Sequence, residues 1–253
     1  MKVDEERLIW GYCGEFGQRR GASGSKQRRE NCLFFAPCCS PVLRETNNMN
    51  AQRETVFLSP EEFHEFEETS PVKHEFWNGI PVAMAGGTDN HSIICGNIAG
   101  AARELLKGKP CRARNSEKSV RIESANAEYY PDALIFCPPG RFAGKGDRVL
   151  LNPKVIFEVL SESTEKKDRG LKFQVYRACD SITDYVLVSQ DRVLVEHYRR
   201  MEEGWFLRSF NSLEDSLRFP DLEVSLPLSE IYDELELPSA LLLLDEMNQT
   251  FEE

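Results

Sequence analysis

The chain has 253 residues, 41% of them hydrophobic, and a formal net charge of −11. That is enough for one domain of ordinary size with an extension, and no stretch reaches the roughly 20 apolar residues needed to cross a bilayer. A protein that coats DNA over its whole surface is excluded, because neutralising phosphates needs a basic surface. Nucleic acid would have to be met through a local basic patch or a bound cation. The N-terminal MKVDEERLIWGYCGEF lacks the apolar core of a signal peptide and carries acids that transit peptides avoid, so a cytoplasmic location is expected. The eight cysteines are Cys13, Cys32, Cys38, Cys39, Cys95, Cys111, Cys137 and Cys179. They form no pair of CxxC knuckles, which leaves a structural zinc site unsupported. The last four sit singly in apolar segments and are expected as buried thiols, without disulfides.

Residues 1–50, with GQRRGASGSKQRRE, carry no apolar period and are expected to form a disordered extension, with Met49 as a sensible alternative start. The ordered domain is expected over 55–235 and a helical tail over 236–253. In LSPEEFHEFEE, Ser59 as N-cap, Pro60 at the first helical position and acids in the first turn predict a helix. HEFWNGIPVAM predicts two short strands around Asn78-Gly79. A second helix is predicted from about His91 to Lys107, with Ile94, Ile98, Ala101 and Leu105 on one face, stopped by Gly108 and Pro110. KSVRIE alternates as a strand should, while YYPDALIFC and PKVIFEVLS are nearly continuous apolar runs, the pattern of strands covered on both faces. From Thr164 to Ala178 a helical period returns, with Leu171, Val175 and Ala178 inward. DYVLVSQ and RVLVEHYRR form a further strand pair, GWFLRSF another strand, and PSALLLLDEMNQTFEE a C-terminal helix. The fold class is α/β with a mixed central β-sheet flanked by helices.

Asp132 and Glu158 are each the lone ionisable group in an apolar strand pattern. Strand alternation puts Asp132 with Leu134 and Phe136, and Glu158 with Ile156 and Leu160. A buried carboxylate in such company is costly unless it is paired, protonated or bound to a metal. An internal salt bridge, or a strand end emerging at Pro131, would account for either acid alone. Two such acids on neighbouring strands would converge on one cation, and magnesium suits a few carboxylates plus waters. Lys172 and Tyr176 are four apart on the following helix and share a face. Spacing alone leaves Lys172 as a solvent-exposed lysine.

YYPDALIFC, followed by NPKVIFEVLSESTEKKDRGLKFQVYRACDSITDYVLVSQ, resembles the Uma family of restriction-endonuclease domains, within the PD-(D/E)XK nuclease superfamily. The likeness covers roughly residues 55–235 and includes HEFWNG and the helix begun by His91. The resemblance implies a restriction-endonuclease-like core. It also implies that Asp132 and Glu158 hold magnesium or manganese, that Glu75 completes the cation shell, and that Lys172 is a catalytic lysine moved from the strand to the helix. The superfamily pattern wants lysine two residues after Glu158, where this chain has Leu160. The implied function is a metal-dependent DNA endonuclease. The alternative is a catalytically silent nuclease-fold module that binds nucleic acid or protein, and action on RNA or branched DNA is a third.

Arg103, Lys107, Lys109, Arg112, Arg114, Lys118 and Arg121 form the one basic stretch, read as a solvated face or a track for a phosphate backbone. His91 and Cys95 are one helical turn apart, but two ligands make no metal site, and core packing is the preferred reading. AGGTDNH has no phosphate-loop spacing, and no Gly-x-Ser-x-Gly elbow is present. A homodimer would suit an enzyme that must cut two strands, although no interface pattern specifies one.

Overall fold

A computed structural model describes residues 57–237. The expected N-terminal extension and C-terminal helical tail lie outside those residues.

The chain begins with α1 (Pro60–Thr69), closed at its start by a capping box in which Ser59 and Glu62 satisfy each other's backbone amides. The hairpin of β1 (His74–Trp77) and β2 (Ile80–Ala83) follows, turning through Asn78 and Gly79, both at positive φ as such a tight turn requires. Next comes α2 (Asp89–Leu105), whose buried residues are Ile94, Ile98 and Ala102, with Leu106 beyond its end. The apolar face is therefore rotated by one residue from the expected Ala101 and Leu105, which are only half-buried.

Strands β3 (Arg112–Asn115), β4 (Ser119–Ile122), β5 (Ala127–Tyr129), β6 (Ala133–Phe136), β7 (Phe142–Ala143), β8 (Val149–Leu150) and β9 (Val155–Leu160) follow in order. From β9 the chain enters a broken helix: α3 (Glu165–Lys167), a π-helical stretch over Asp168–Lys172, then α4 (Phe173–Arg177). It returns as β10 (Asp184–Ser189), β11 (Val195–Met201) and β12 (Gly204–Phe210). A two-stranded ribbon, β13 (Ser216–Phe219) and β14 (Val224–Pro227), and the short α5 (Leu228–Ile231) complete the described chain.

The central sheet runs β12-β11-β10-β9-β6-β3 and is mixed, since β9 and β10 are parallel and their neighbours antiparallel. The parallel pair needs a crossover, which the broken helix provides. A second six-stranded sheet runs β2-β1-β5-β4-β8-β7. On β9, Val155, Phe157 and Val159 pack toward α2 and the β13–β14 ribbon. Ile156 and Leu160 pack on the other face, with Val175, Tyr176 and the Tyr129 side of the second sheet. Both faces are apolar apart from Glu158, which explains the nearly continuous hydrophobic run in the sequence.

Two expectations are corrected here. YYPDALIFC is not one strand: it divides at Tyr130–Asp132 into β5 of one sheet and β6 of the other, because Pro131 has no amide to offer a ladder. Cys111 and Cys137 are not free thiols; they are joined by a disulfide across the adjoining ends of β3 and β6, while Cys95 and Cys179 are free. Flanking apolar residues signalled burial, but the pairing followed from the β3–β6 register, which places Arg112 opposite Phe136 and so the two cysteines side by side.

The link closes a segment of 26 residues. Replacing both Cys111 and Cys137 with alanine is expected to lower unfolding stability by about 2–4 kcal/mol in urea titrations. Alkylation under denaturing, non-reducing conditions should leave both residues unmodified in the wild-type protein.

Candidate active site

The crossover after β9 aims its helix back over that strand, and Asp168, Lys172 and Tyr176 recur every four residues on the face it presents. All three are buried, Lys172 being only 6% exposed. The exposed lysine that spacing alone suggests is therefore not found, and the expected inward Ala178 is exposed instead. The π-helical stretch carries both Asp168 and Lys172. Such wider turns recur at functional sites.

The Lys172 ammonium lies 2.8 Å from Glu75 Oε1, 3.2 Å from Glu158 Oε1 and 3.3 Å from Asp168 Oδ1. It also stands 5.6 Å above the Tyr129 ring, a cation–π contact. Tyr176 donates its hydroxyl to Glu158 Oε1 at 3.0 Å, and Lys167 closes the cluster by pairing with Glu75. Glu75 comes from β1 of the second sheet, Glu158 from β9 of the central sheet and Lys172 from the crossover helix. Three remote segments thus meet around one ammonium.

Burial sets the electrostatics. It pulls the Lys172 pKa down, but Glu158, Glu75 and Asp168 together outweigh it and hold the ammonium well above the usual lysine range. Burial likewise pushes Glu75 up, yet Lys172 and Lys167 bring it below the usual carboxylate value. For Glu158 the balance reverses: desolvation dominates, Asp168, Asp132 and Glu75 add repulsion, and the carboxyl is raised despite Lys172.

Asp132 stands just before β6 and escapes that strand's alternation. Its Oδ2 accepts the Val159 amide at 2.7 Å, one step beyond the last paired position, Ala133 opposite Phe157. Its Oδ1 lies 3.3 Å from His91 Nε2. Burial raises the Asp132 pKa, with the Val159 amide and His91 opposing. His91, Cys95 and Asp132 place ligand atoms within 4.8 Å of one another, the one such group of three among the described residues. Glu75, Glu158 and Lys172 are thus brought together directly, and Asp132 adjoins them through Val159, the residue after Glu158.

Sequence reasoning passed over Asp168, although the four-residue spacing that linked Lys172 to Tyr176 reaches it one turn earlier. It also set aside His91 and Cys95 for want of a third ligand, which a distant segment supplies. The basic stretch divides. Arg103, Lys107, Lys109, Arg112 and Arg114 line a surface groove of about 1000 Å³ between α2 and β3. Arg121 instead pairs with buried Glu128, and Lys118 donates to the Asp147 carbonyl.

Whether these residues suit a divalent cation is decided by charge. Glu75, Glu158, Asp168 and Asp132 bring four carboxylates against the two ammonium groups of Lys172 and Lys167. Carboxylates outnumber ammonium groups by two, and because burial pushes Glu158 and Asp132 toward their neutral forms, a divalent ion would offset the cost of ionising them there. Glu158 accepts from Lys172 and Tyr176 through Oε1, and the Asp132 carboxylate faces both His91 and Cys95. The donor set fits.

A family model described as "Putative restriction endonuclease", Uma2, matches residues 60–229. The chain belongs to this family. Two uncharacterized proteins of Synechocystis sp. are relatives of the chain. One is 33% identical over 69% of this chain and 91% of its own length; the other is 25% identical over 67% and 97%. Among solved structures, a "putative nuclease belonging to DUF820" from Anabaena variabilis superposes with a TM-score of 0.55 at 16% identity. That match covers 69% of this chain and 97% of the other. At this identity it establishes the shared fold. No helix among the described residues is long and apolar enough to cross a membrane.

Two outcomes follow for this Uma2 chain. Lys172→Met leaves Glu75, Glu158 and Asp168 without their shared cation and is expected to cost about 3–5 kcal/mol in urea unfolding at neutral pH. Because the folded-state pKa of Glu75 is lowered, its stabilising share is present above the ordinary value of 4.5 and lost as pH falls below it. Glu75→Gln should therefore flatten the acid limb of a stability–pH curve, measured by thermal melts from neutral to acidic buffers.

Proposed function

We propose that the protein is a divalent-metal-dependent DNA endonuclease that hydrolyses phosphodiester bonds. The observation that carries this reading is the gathering of four carboxylates about only two ammonium groups between Asp132 and the Lys172 cluster. Asp132 and Glu158 would hold magnesium or manganese, with Glu75 completing the shell. When bound, such an ion lowers the pKa of a coordinated water and offsets charge on the phosphate. Membership in a restriction-endonuclease family supports DNA as the substrate.

The chain's own residues then have definite tasks. Lys172, kept charged by its three carboxylates, counters negative charge developing on the phosphate and orients the attacking water. Tyr176 fixes the Glu158 carboxylate through Oε1, which would orient it toward a bound ion. Lys167 anchors Glu75 and prevents its carboxylate from turning to solvent. The groove lined by Arg103, Lys107 and Lys109 provides the local positive surface that an acidic protein needs to meet DNA.

A second reading, a module that binds nucleic acid without cutting it, is favoured by one observation. Lys172 is wholly committed to carboxylates, and Leu160 occupies the superfamily's usual lysine position.

Supercoiled plasmid incubated with the protein and magnesium is expected to be nicked, and a chelator to stop the reaction. Asp132→Asn and Glu158→Ala should each slow nicking by a factor on the order of 10²–10³. Plasmid retarded in a gel but left intact would favour the binding module, and a wild-type rate in Glu158→Ala would reject the hydrolytic reading.

A further inference from the structure

From the first turns of α2, we infer that His91, Cys95 and Asp132 form a binding site for a zinc-class transition-metal ion, distinct in donor chemistry from an all-carboxylate magnesium seat. The proposal shares Asp132 with the hydrolytic reading but does not require that the protein cut DNA.

The helix brings the first two ligands together, because residues four apart share a face. Its start is firmly pinned. The His91 amide donates to Thr88 Oγ1 at 3.2 Å, and the Thr88 hydroxyl donates in turn to Gln190 Oε1 at 2.5 Å. Asn90 adds a hydrogen bond from Nδ2 to the Gln190 carbonyl at 3.2 Å. The turn after β10 thereby sets the angle at which α2 meets the sheet end. Space for the imidazole comes from Gly87, where a Cβ would lie 2.9 Å from His91 Nδ1.

The third ligand is aimed by the backbone. The Val159 amide holds Asp132 Oδ2, so Oδ1 is the oxygen that looks toward α2. His91 Nε2 is buried and has no hydrogen-bond partner among the described residues, although it sits 3.3 Å from that oxygen. A buried ring nitrogen without a partner is costly, and a coordinated ion would satisfy it. Cys95 Sγ completes a triangle whose edges are all within 4.8 Å. Donors at about 2.0–2.3 Å from a tetrahedral ion stand about 3.5 Å apart, so small side-chain rotations suffice.

Donor chemistry selects the ion. Magnesium takes oxygen ligands and binds thiolate poorly, whereas one nitrogen, one sulfur and one carboxylate oxygen suit zinc or cobalt. Three protein ligands leave a position open, as in zinc sites that hold water or substrate rather than purely structural ones. On binding, the Cys95 thiol gives up its proton to solvent and coordinates as thiolate.

Chelator-treated full-length protein titrated with Co²⁺ tests the assignment, since cobalt reports sulfur ligation by a thiolate-to-metal charge-transfer band in the near ultraviolet. The wild-type protein is expected to show this band, and Zn²⁺ to erase it. Cys95→Ser should lose the band, and His91→Ala should weaken cobalt binding at least about tenfold. Should Cys95→Ser fail to match the wild-type circular dichroism, Cys95→Ala gives the same reading with a smaller, apolar replacement. Absence of the band in the wild type overturns the proposal. So does its survival in the Cys95 variants, which would assign the sulfur to another cysteine. Plasmid nicking in magnesium is scored separately: lost nicking with the cobalt band intact removes only the hydrolytic reading, and the converse removes only this one.

Discussion

A single ammonium group confined among three buried carboxylates organises this protein. Desolvating any one of these ions alone would cost several kcal/mol, and their mutual attraction offsets this only when every partner is in place. Lys172, Glu75, Glu158 and Asp168 come from a crossover helix and from two different sheets. The cluster therefore forms only once the tertiary structure has closed. It thereby makes correct closure of the two sheets a condition of its own stability.

Much of the fold was legible in the chain because local physics decides it. The capping box at Ser59, the Asn78-Gly79 turn and the apolar run of β9 each announce their structure within a few residues. The acids were legible for the same reason, since a carboxylate between β-branched residues conflicts with its surroundings. What local pattern could not supply was geometry between remote segments. Nothing in YYPDALIFC says that it passes from one sheet to another, and this transfer lets Asp132 turn away from its strand's alternation toward His91. The depth of Lys172 was hidden likewise: a charged residue on a helix looks solvated until the opposing carboxylates are brought up to it.

The two charged clusters differ in how much freedom remains to them. Around Lys172 the carboxylates share several ion pairs and an aromatic face, although Glu75 Oε1, Asp168 Oδ1 and the Tyr129 hydroxyl have no hydrogen-bond partner among the described residues. Around Asp132 one carboxylate oxygen is fixed by the backbone, and the imidazole beside it is still unsatisfied. Side chains already locked into a network keep their geometry when a ligand arrives, whereas unsatisfied ones can change partner cheaply. A bound group would accordingly disturb the Asp132 side more than the lysine side.

The passage of the chain through Tyr130–Asp132 has a mechanical consequence. That short segment is the direct covalent bridge between β5 and β6, and the Lys172 cluster is a second, non-covalent bridge between the same two sheets. Together they act as a clasp at one seam. Any sliding of one sheet against the other would pull Glu75 away from Glu158 and shift Asp132 at the same time, so the alignment of the sheets and the integrity of the site are one mechanical variable.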